Sequence, residues 1–114
     1  MDQTIANEIA KEIAKKPSTM AVRVKFMGDM SSIIGERNLE LALPQGATVA
    51  DLLASLSKTY GEAFTNRVFI GPGKLFHTML IFVDGEDIKE RDGLATMLGS
   101  GEVEVIMMPM FGGG

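Results

Sequence analysis

Thr48-Val49-Ala50-Asp51-Leu52-Leu53-Ala54-Ser55-Leu56-Ser57-Lys58-Thr59-Tyr60-Gly61 is the stretch on which the fold of this chain turns. Val49, Leu52, Leu53, Leu56 and Tyr60 recur at three- and four-residue steps, which gathers them on one side of a helix. Thr48, followed three residues later by Asp51, resembles a capping box in which Asp replaces the longer Glu or Gln. Gly61 suits the left-handed cap that ends such a helix. A helix with one apolar stripe needs one apolar surface to lie on, and the flanking sequence supplies it.

Upstream, residues 20–27 alternate: Val22, Val24 and Phe26 fall on one face, Arg23 and Lys25 on the other, the pattern of a half-buried strand. After a turn region carrying Gly28, Asp29 and Gly35, the residues Leu39, Leu41 and Leu43 alternate with Glu40 and Ala42 until Pro44-Gln45-Gly46 breaks the run. The two segments suggest a hairpin. Downstream, residues 61–74 read as a long loop whose Val68-Phe69-Ile70 centre tucks against the core. Gly71-Pro72-Gly73-Lys74 within it lacks the Gly-Lys-Ser/Thr of a phosphate loop and reads as a turn.

Thr78-Met79-Leu80-Ile81-Phe82-Val83 is a continuous apolar run stopped by Asp84-Gly85, which predicts a central strand covered on both faces. Ile88 begins a short edge strand, residues 93–99 hold one helical turn, and residues 102–108 form the final strand. The order strand, strand, helix, strand, edge elements, strand is α+β. It matches the β-grasp (ubiquitin-like) arrangement: a mixed sheet with one main helix across it, its final strand parallel to its first.

Residues 4–16 predict a further, appended N-terminal helix, with Ile5, Ile9 and Ile13 spaced by four, Ala6, Ala10 and Ala14 beside them, and Pro17 ending it. Its stripe is narrow and alanine-rich, so a peripheral appendage is expected. The expected organisation is residues 1–19 as this amphipathic extension, residues 20–111 as the domain, and residues 112–114 as a flexible glycine tail.

At 114 residues the chain is long enough for one core and no more. It is 46% hydrophobic and 23% charged, as soluble globular proteins are. A net charge of −4 and the lack of a Lys/Arg cluster with interleaved aromatics argue against nucleic acid. No run approaches the ~18–20 apolar residues of a membrane span, and the N-terminus lacks a secretory signal's apolar core, so no membrane partner and a cytoplasmic location are expected. Zero cysteines exclude disulfides, thiolate metal sites and cysteine nucleophiles. The one histidine, His77, has no predicted nucleophile or metal partner, and the acidic group Asp84, Glu86, Asp87, Glu90 and Asp92 does not fit the EF-hand spacing. No catalytic residue and no metal ligand is expected.

The chemistry then falls to the ending, Pro109-Met110-Phe111-Gly112-Gly113-Gly114. Glycines without Cβ atoms lie extended in a channel too narrow for other residues, so an enzyme can close around Gly112 and Gly113 and reach the carboxylate of Gly114. That carboxylate, with a reference pKa of about 3.3–3.7, is ionised at neutral pH and is a nucleophile toward a nucleotide α-phosphate.

Taken together, Pro72-Gly73-Lys74-Leu75, the segment Ile81-Phe82-Val83-Asp84-Gly85-Glu86-Asp87-Ile88, Gly93-Leu94-Ala95-Thr96, Glu102-Val103 and the ending resemble the longer MoaD-like branch of the MoaD/ThiS group of ubiquitin-like sulfur carriers. The resemblance covers residues 20–114. It departs at Asp84-Gly85, at Gly99-Ser100-Gly101-Glu102 and at Met110-Phe111-Gly112, where the family has an Asn-containing turn, an acidic turn and a smaller approach to the diglycine. The resemblance implies a carrier, not an enzyme. Gly114 would be converted to an acyl-adenylate and then a thiocarboxylate by a ubiquitin-activating-type enzyme using ATP and magnesium and by a sulfur donor, with no cofactor held permanently. The acceptor would be the large subunit of molybdopterin synthase or another sulfur acceptor, such as one in cysteine biosynthesis. A ubiquitin-like modifier forming isopeptide bonds is the alternative. Since the family docks through an apolar patch on the sheet and through the tail, Met108, Met110 and Phe111 are the implied partner contacts. Strand alternation leaves Met107 and Met108 open between core and contact.

Overall fold

A computed structural model of the chain describes residues 19–99 and 101–110. The predicted helix over residues 4–16, and Phe111, Gly112, Gly113 and Gly114, lie outside the described residues, so the boundaries drawn at 19–20 and 111–112 rest on sequence.

The first strand, β1 (Thr19–Phe26), is followed by a short helix, α1 (Met30–Ile34), and by β2 (Asn38–Pro44). The long helix α2 (Val49–Tyr60) comes next, then α3 (Glu62–Val68), a small hairpin of β3 (Phe69–Gly71) and β4 (Lys74–Leu75), and β5 (Met79–Val83). A short β6 (Glu86–Asp87), two 3-10 turns (Ile88–Glu90 and Gly93–Ala95) and β7 (Glu102–Pro109) complete the domain. The main sheet runs β2-β1-β7-β5-β6. β2 is antiparallel to β1, β7 is parallel to β1, and β5 is antiparallel to β7. This is the expected mixed β-grasp sheet, with the predicted parallel pairing of first and last strands at its centre.

α2 lies over one face of the sheet for the reason its sequence states: Val49, Leu52, Leu53 and Leu56 are buried, and they join Val22, Val24, Val103, Val105 and Met107 in one core. Its capping box is complete, with the Asp51 N–H donating to Thr48 Oγ1 and the Thr48 N–H to Asp51 Oδ2 at 2.9 Å. Asp84 at φ 48° and Gly85 at φ 87° make the tight turn between β5 and β6 that Asp-Gly promised.

Ile88 does not begin the edge strand, which is Glu86–Asp87; it is buried and opens a 3-10 turn. Three further expectations are corrected. The turn region between the first strands contains α1, because Met30 and Ile34 are one helical turn apart and both enter the core, with Gly35 ending the turn in the left-handed conformation. Residues 61–74 are not a loop. Gly61 takes φ +75° but an extended ψ, so its N–H still bonds Ser57 O while its carbonyl accepts from Thr65, and a second helix starts at once. Phe64 and Val68, four apart and buried, are why α3 holds. The bidentate pair from Arg67 to Asp29, both contacts 3.0 Å, ties α3 to the start of α1. The third correction is to β5, whose side chains are not covered on both faces: Met79, Ile81 and Val83 are buried, while Leu80 and Phe82 are only partly so.

Candidate docking face and tail exit

The helices cover one face of the sheet and leave the other open. Register fixes what the open face carries, since residues that alternate with the core in each strand line up across the strands. Nearest the start of β1 are Ala42, Ala21 and Glu102; next come Glu40, Arg23 and Glu104; then Asn38, Lys25, Ile106 and Phe82; and last Met108 beside Leu80. The face therefore divides. At one end Arg23 pairs with Glu102 at 2.7 Å and Lys25 reaches Glu104 at 4.0 Å. At the other, Leu80, Phe82, Ile106 and Met108 form an apolar corner of partly exposed side chains.

The apolar corner lies at the end of β7 from which the tail departs. Pairing with β1 continues past the strand, the Met27 N–H donating to Met107 O at 2.9 Å. On the other side the Met110 N–H donates to Thr78 O at 2.7 Å, so the chain is held to the sheet as far as Met110. Gly28 makes this closure possible. It sits at φ +60°, and a Cβ there would stand 3.2 Å from Pro109 Cγ. A shallow groove of about 360 Å³ beside the exit is lined by Lys25, Phe26, Met27, Gly28, Ser31, Arg37 and Asn38. Met27 and Met110, 44% and 51% exposed, flank the exit, and neither belongs to the core cluster.

Of the residues expected as partner contacts, Met108 is partly exposed on the open face and Met110 is exposed at the exit, whereas Met107 is fully buried and belongs to the core. Phe111, Gly112, Gly113 and Gly114 lie outside the described residues. Leu80, Phe82, Ile106 and Met27 belong to the surface and were missed by the sequence reading, which took the first two for core. Their signal was alternation with residues that must be buried, Ile81 and Met107 above all. His77 is exposed, and its carbonyl accepts from Lys89 Nζ. Among the described residues no group of three His, Cys, Asp or Glu side chains is placed to hold a metal ion, and no helix is long and apolar enough to cross a membrane.

A parallel β1–β7 pair at the centre of the sheet, a helix on one face and a tail leaving beside an apolar corner is a combination with relatives. The model of the ThiS family matches residues 24–114, from the second half of β1 through the glycines. The chain belongs to the ThiS family. The chain is also similar to small archaeal modifier protein 3 of Haloferax volcanii, 26% identical over 94 residues that make up 82% of this chain and all of that protein. Among solved structures, the Haloferax volcanii HVO 2177 protein superposes at a TM-score of 0.73 with 27% identity, covering 85% of this chain and 89% of that one. SAMP1 from the same organism superposes at 0.69 with 26% identity, over 82% of this chain and 99% of its own. The chain accordingly falls in the family of ubiquitin-like small modifiers and sulfur carriers.

Proposed function

We propose that this chain is a non-catalytic sulfur carrier of the cytoplasm, most concretely the small subunit of molybdopterin synthase or the carrier of a related sulfur-transfer pathway. The Gly114 carboxylate attacks the α-phosphate of ATP, bound with magnesium in a ubiquitin-activating-type enzyme, and pyrophosphate leaves. A persulfide of the sulfur donor then attacks the acyl carbon, AMP leaves, and reductive cleavage of the sulfur–sulfur bond by a thiol leaves a thiocarboxylate on Gly114. Nucleophile and leaving group belong to the partners, and this chain contributes an acyl end and a surface.

The observation that carries the reading is the juxtaposition of the apolar corner, Leu80, Phe82, Ile106 and Met108, with the strand end from which the tail leaves. An enzyme seated on that corner receives Gly112 and Gly113 directly, and the tail's root, fixed through Met110 and Thr78, limits the directions in which the glycines extend. Met27, Met108 and Met110 supply adaptable apolar contacts, which suits successive partners: activating enzyme, then acceptor. Membership of the ThiS family and the Pro-Met-Phe-Gly-Gly-Gly ending add support.

A second reading has its own observation, the end-to-end match to a protein named as a small archaeal modifier. In it the Gly114 acyl-adenylate passes to lysine amines of other proteins and forms isopeptide bonds. Intact mass after incubation with the cognate activating enzyme, ATP, magnesium and a sulfur donor tests both. A gain equal to exchanging one oxygen for sulfur, confined to the C-terminal peptide and absent once Gly113 and Gly114 are removed, supports the carrier. Lysine-linked adducts on other proteins in place of that gain support the modifier, and neither product overturns both.

A further inference from the structure

We infer that Met27, Met108 and Met110 form a reversible oxidation site at the tail exit, where a hydroperoxide converts their thioethers to sulfoxides and turns the rim of the apolar corner polar. The sheet gathers the three from distant parts of the chain. One step past the parallel pair of Phe26 and Met107, Met27 comes beside Met108, and the Met27 N–H donates to Met107 O. Met110 follows two residues later, fixed by its own N–H on Thr78 O, with the Pro109 ring between them set against Gly28. Paired strands lie about 4.8 Å apart and each residue advances about 3.3 Å, so the three Cα atoms fall within about 8 Å of one another. Met27 and Met110 are exposed and Met108 is partly so. Met20, Met30, Met79 and Met107, by contrast, are at most 3% exposed. Met97 is as open as Met110, but it bridges to Thr48 at the start of α2, which follows Pro44, the partner of Thr19 at the end of the sheet remote from the exit. Of the four methionines among the described residues that are not buried, three therefore stand at the exit.

The chain has no cysteine and no tryptophan, so these thioethers are its side chains most open to two-electron oxidation. A sulfur lone pair attacks the distal oxygen of the hydroperoxide. The sulfur–oxygen bond forms as the oxygen–oxygen bond breaks, and the second oxygen takes up the proton and leaves as an alcohol or water. Sulfur loses two electrons and the peroxide gains them. A sulfoxide reductase supplied with a dithiol reverses the step: the dithiol becomes a disulfide and the oxygen leaves as water. Leu80, Phe82 and Ile106 are inert to peroxides, so the oxidant alters the rim and leaves the rest of the corner apolar. A reduced thioether adapts to many apolar shapes, whereas a sulfoxide oxygen is an acceptor that an apolar partner surface leaves unsatisfied. None of the three exit methionines belongs to the core, so the fold does not depend on their oxidation state. That oxidation interrupts docking of the activating enzyme rests on the function proposed above, whereas the oxidation site itself does not.

The test treats the full chain with hydrogen peroxide and follows each methionine by peptide mass. Met27 and Met110 should gain one oxygen at least about tenfold faster than Met30 and Met107, with Met108 between, since buried sulfurs react only in opened molecules. Equal rates at exit and core overturn the proposal, as does loss of the folded amide spectrum once the exit is oxidised. After removal of the peroxide, affinity for the cognate activating enzyme, measured without ATP, should have fallen about tenfold or more. Methionine sulfoxide reductase with a dithiol should restore it. Met97→Leu should show the same fall, whereas Met27→Leu/Met108→Leu/Met110→Leu should show none, whatever its starting affinity. An unchanged affinity after oxidation of the wild type, or a fall that persists in the triple variant, overturns the proposal. A reduced wild type that binds no activating enzyme overturns the function proposed above instead, and the peroxide map still decides the site.

Discussion

Replacing Gly28 by alanine tests the root of the tail, and the structure supplies its own control. Gly28 stands at φ +60° and Gly35 at φ +90°, so an L-residue is strained at either position. Around Gly35 nothing lies within 4 Å of an added Cβ, whereas at Gly28 that Cβ meets Pro109 Cγ at 3.2 Å and Cδ at 3.6 Å. The strain is worth about 1–2 kcal/mol, and alanine's smaller unfolded-state entropy returns about 0.4–1 of it, so Gly35→Ala should destabilise by about 1 kcal/mol. At Gly28 the Pro109 ring must also shift by a few tenths of an ångström, and overpacking at its mild end adds about 1 kcal/mol. Since 1 kcal/mol moves the midpoint of a domain this size by about 4–8 °C, Gly28→Ala should melt roughly 8–16 °C below the wild type, and Gly35→Ala half as far below. Thermal denaturation by circular dichroism reads both. Pro109→Ala in the Gly28→Ala background should recover the contact's share, and a double-mutant cycle isolates it. Equal losses at the two glycines, or no coupling between positions 28 and 109, would refute the close approach that fixes the tail's exit.

Three further outcomes follow from the same geometry. Ile106→Thr, on the open face, should change stability by less than about 1 kcal/mol and weaken binding to the activating enzyme about tenfold or more by calorimetry, whereas Met107→Ala, its buried neighbour, should cost about 2–5 kcal/mol in urea denaturation. Thr48→Ala, which removes the capping box of α2, should lower stability by about 1 kcal/mol with an unchanged denaturant slope. The hydrogen bond from Arg67 holds the Asp29 carboxyl below its ordinary value of 3.8, an effect that slight burial opposes and the Arg67 charge reinforces. A depressed folded-state pKa stabilises above the unfolded value, and that stability is lost as pH falls below about 3.8 toward the folded value. Asp29→Asn should therefore be less stable than the wild type near neutral pH, with the gap closing in that acid range; a gap that persists through it would show the pair contributes nothing through charge.

How far the sequence could be read depended on whether each signal was local. Alternation in residues 20–27 and at Leu39, Leu41 and Leu43, the stripe and cap of α2 and the Asp-Gly turn are set by neighbours a few positions away, and each element stands where expected. α1 and α3 escaped because each offers a single buried pair one turn apart, Met30 with Ile34 and Phe64 with Val68, too short a repeat to distinguish from a loop with apolar contacts. Of the candidate face, Met108 and Met110 were named through the resemblance, while Leu80, Phe82 and Ile106 were not, for a reason that bears on function. Periodicity says which residues share a face; it does not say which face the helices will cover. An apolar run such as Thr78-Met79-Leu80-Ile81-Phe82-Val83 fits a strand buried between two layers equally well as a strand with one layer and one vacant apolar face. Among the described residues the helices lie on one side of the sheet, so Leu80 and Phe82 gain little from them by being apolar. Threonine or lysine there would serve the strand as well, as Arg23 and Lys25 do on the same face of β1. Apolar side chains on a face the described helices leave uncovered, confined to the end where the chain leaves the sheet, are the composition expected of a surface whose second layer is a separate element, a partner that takes the tail.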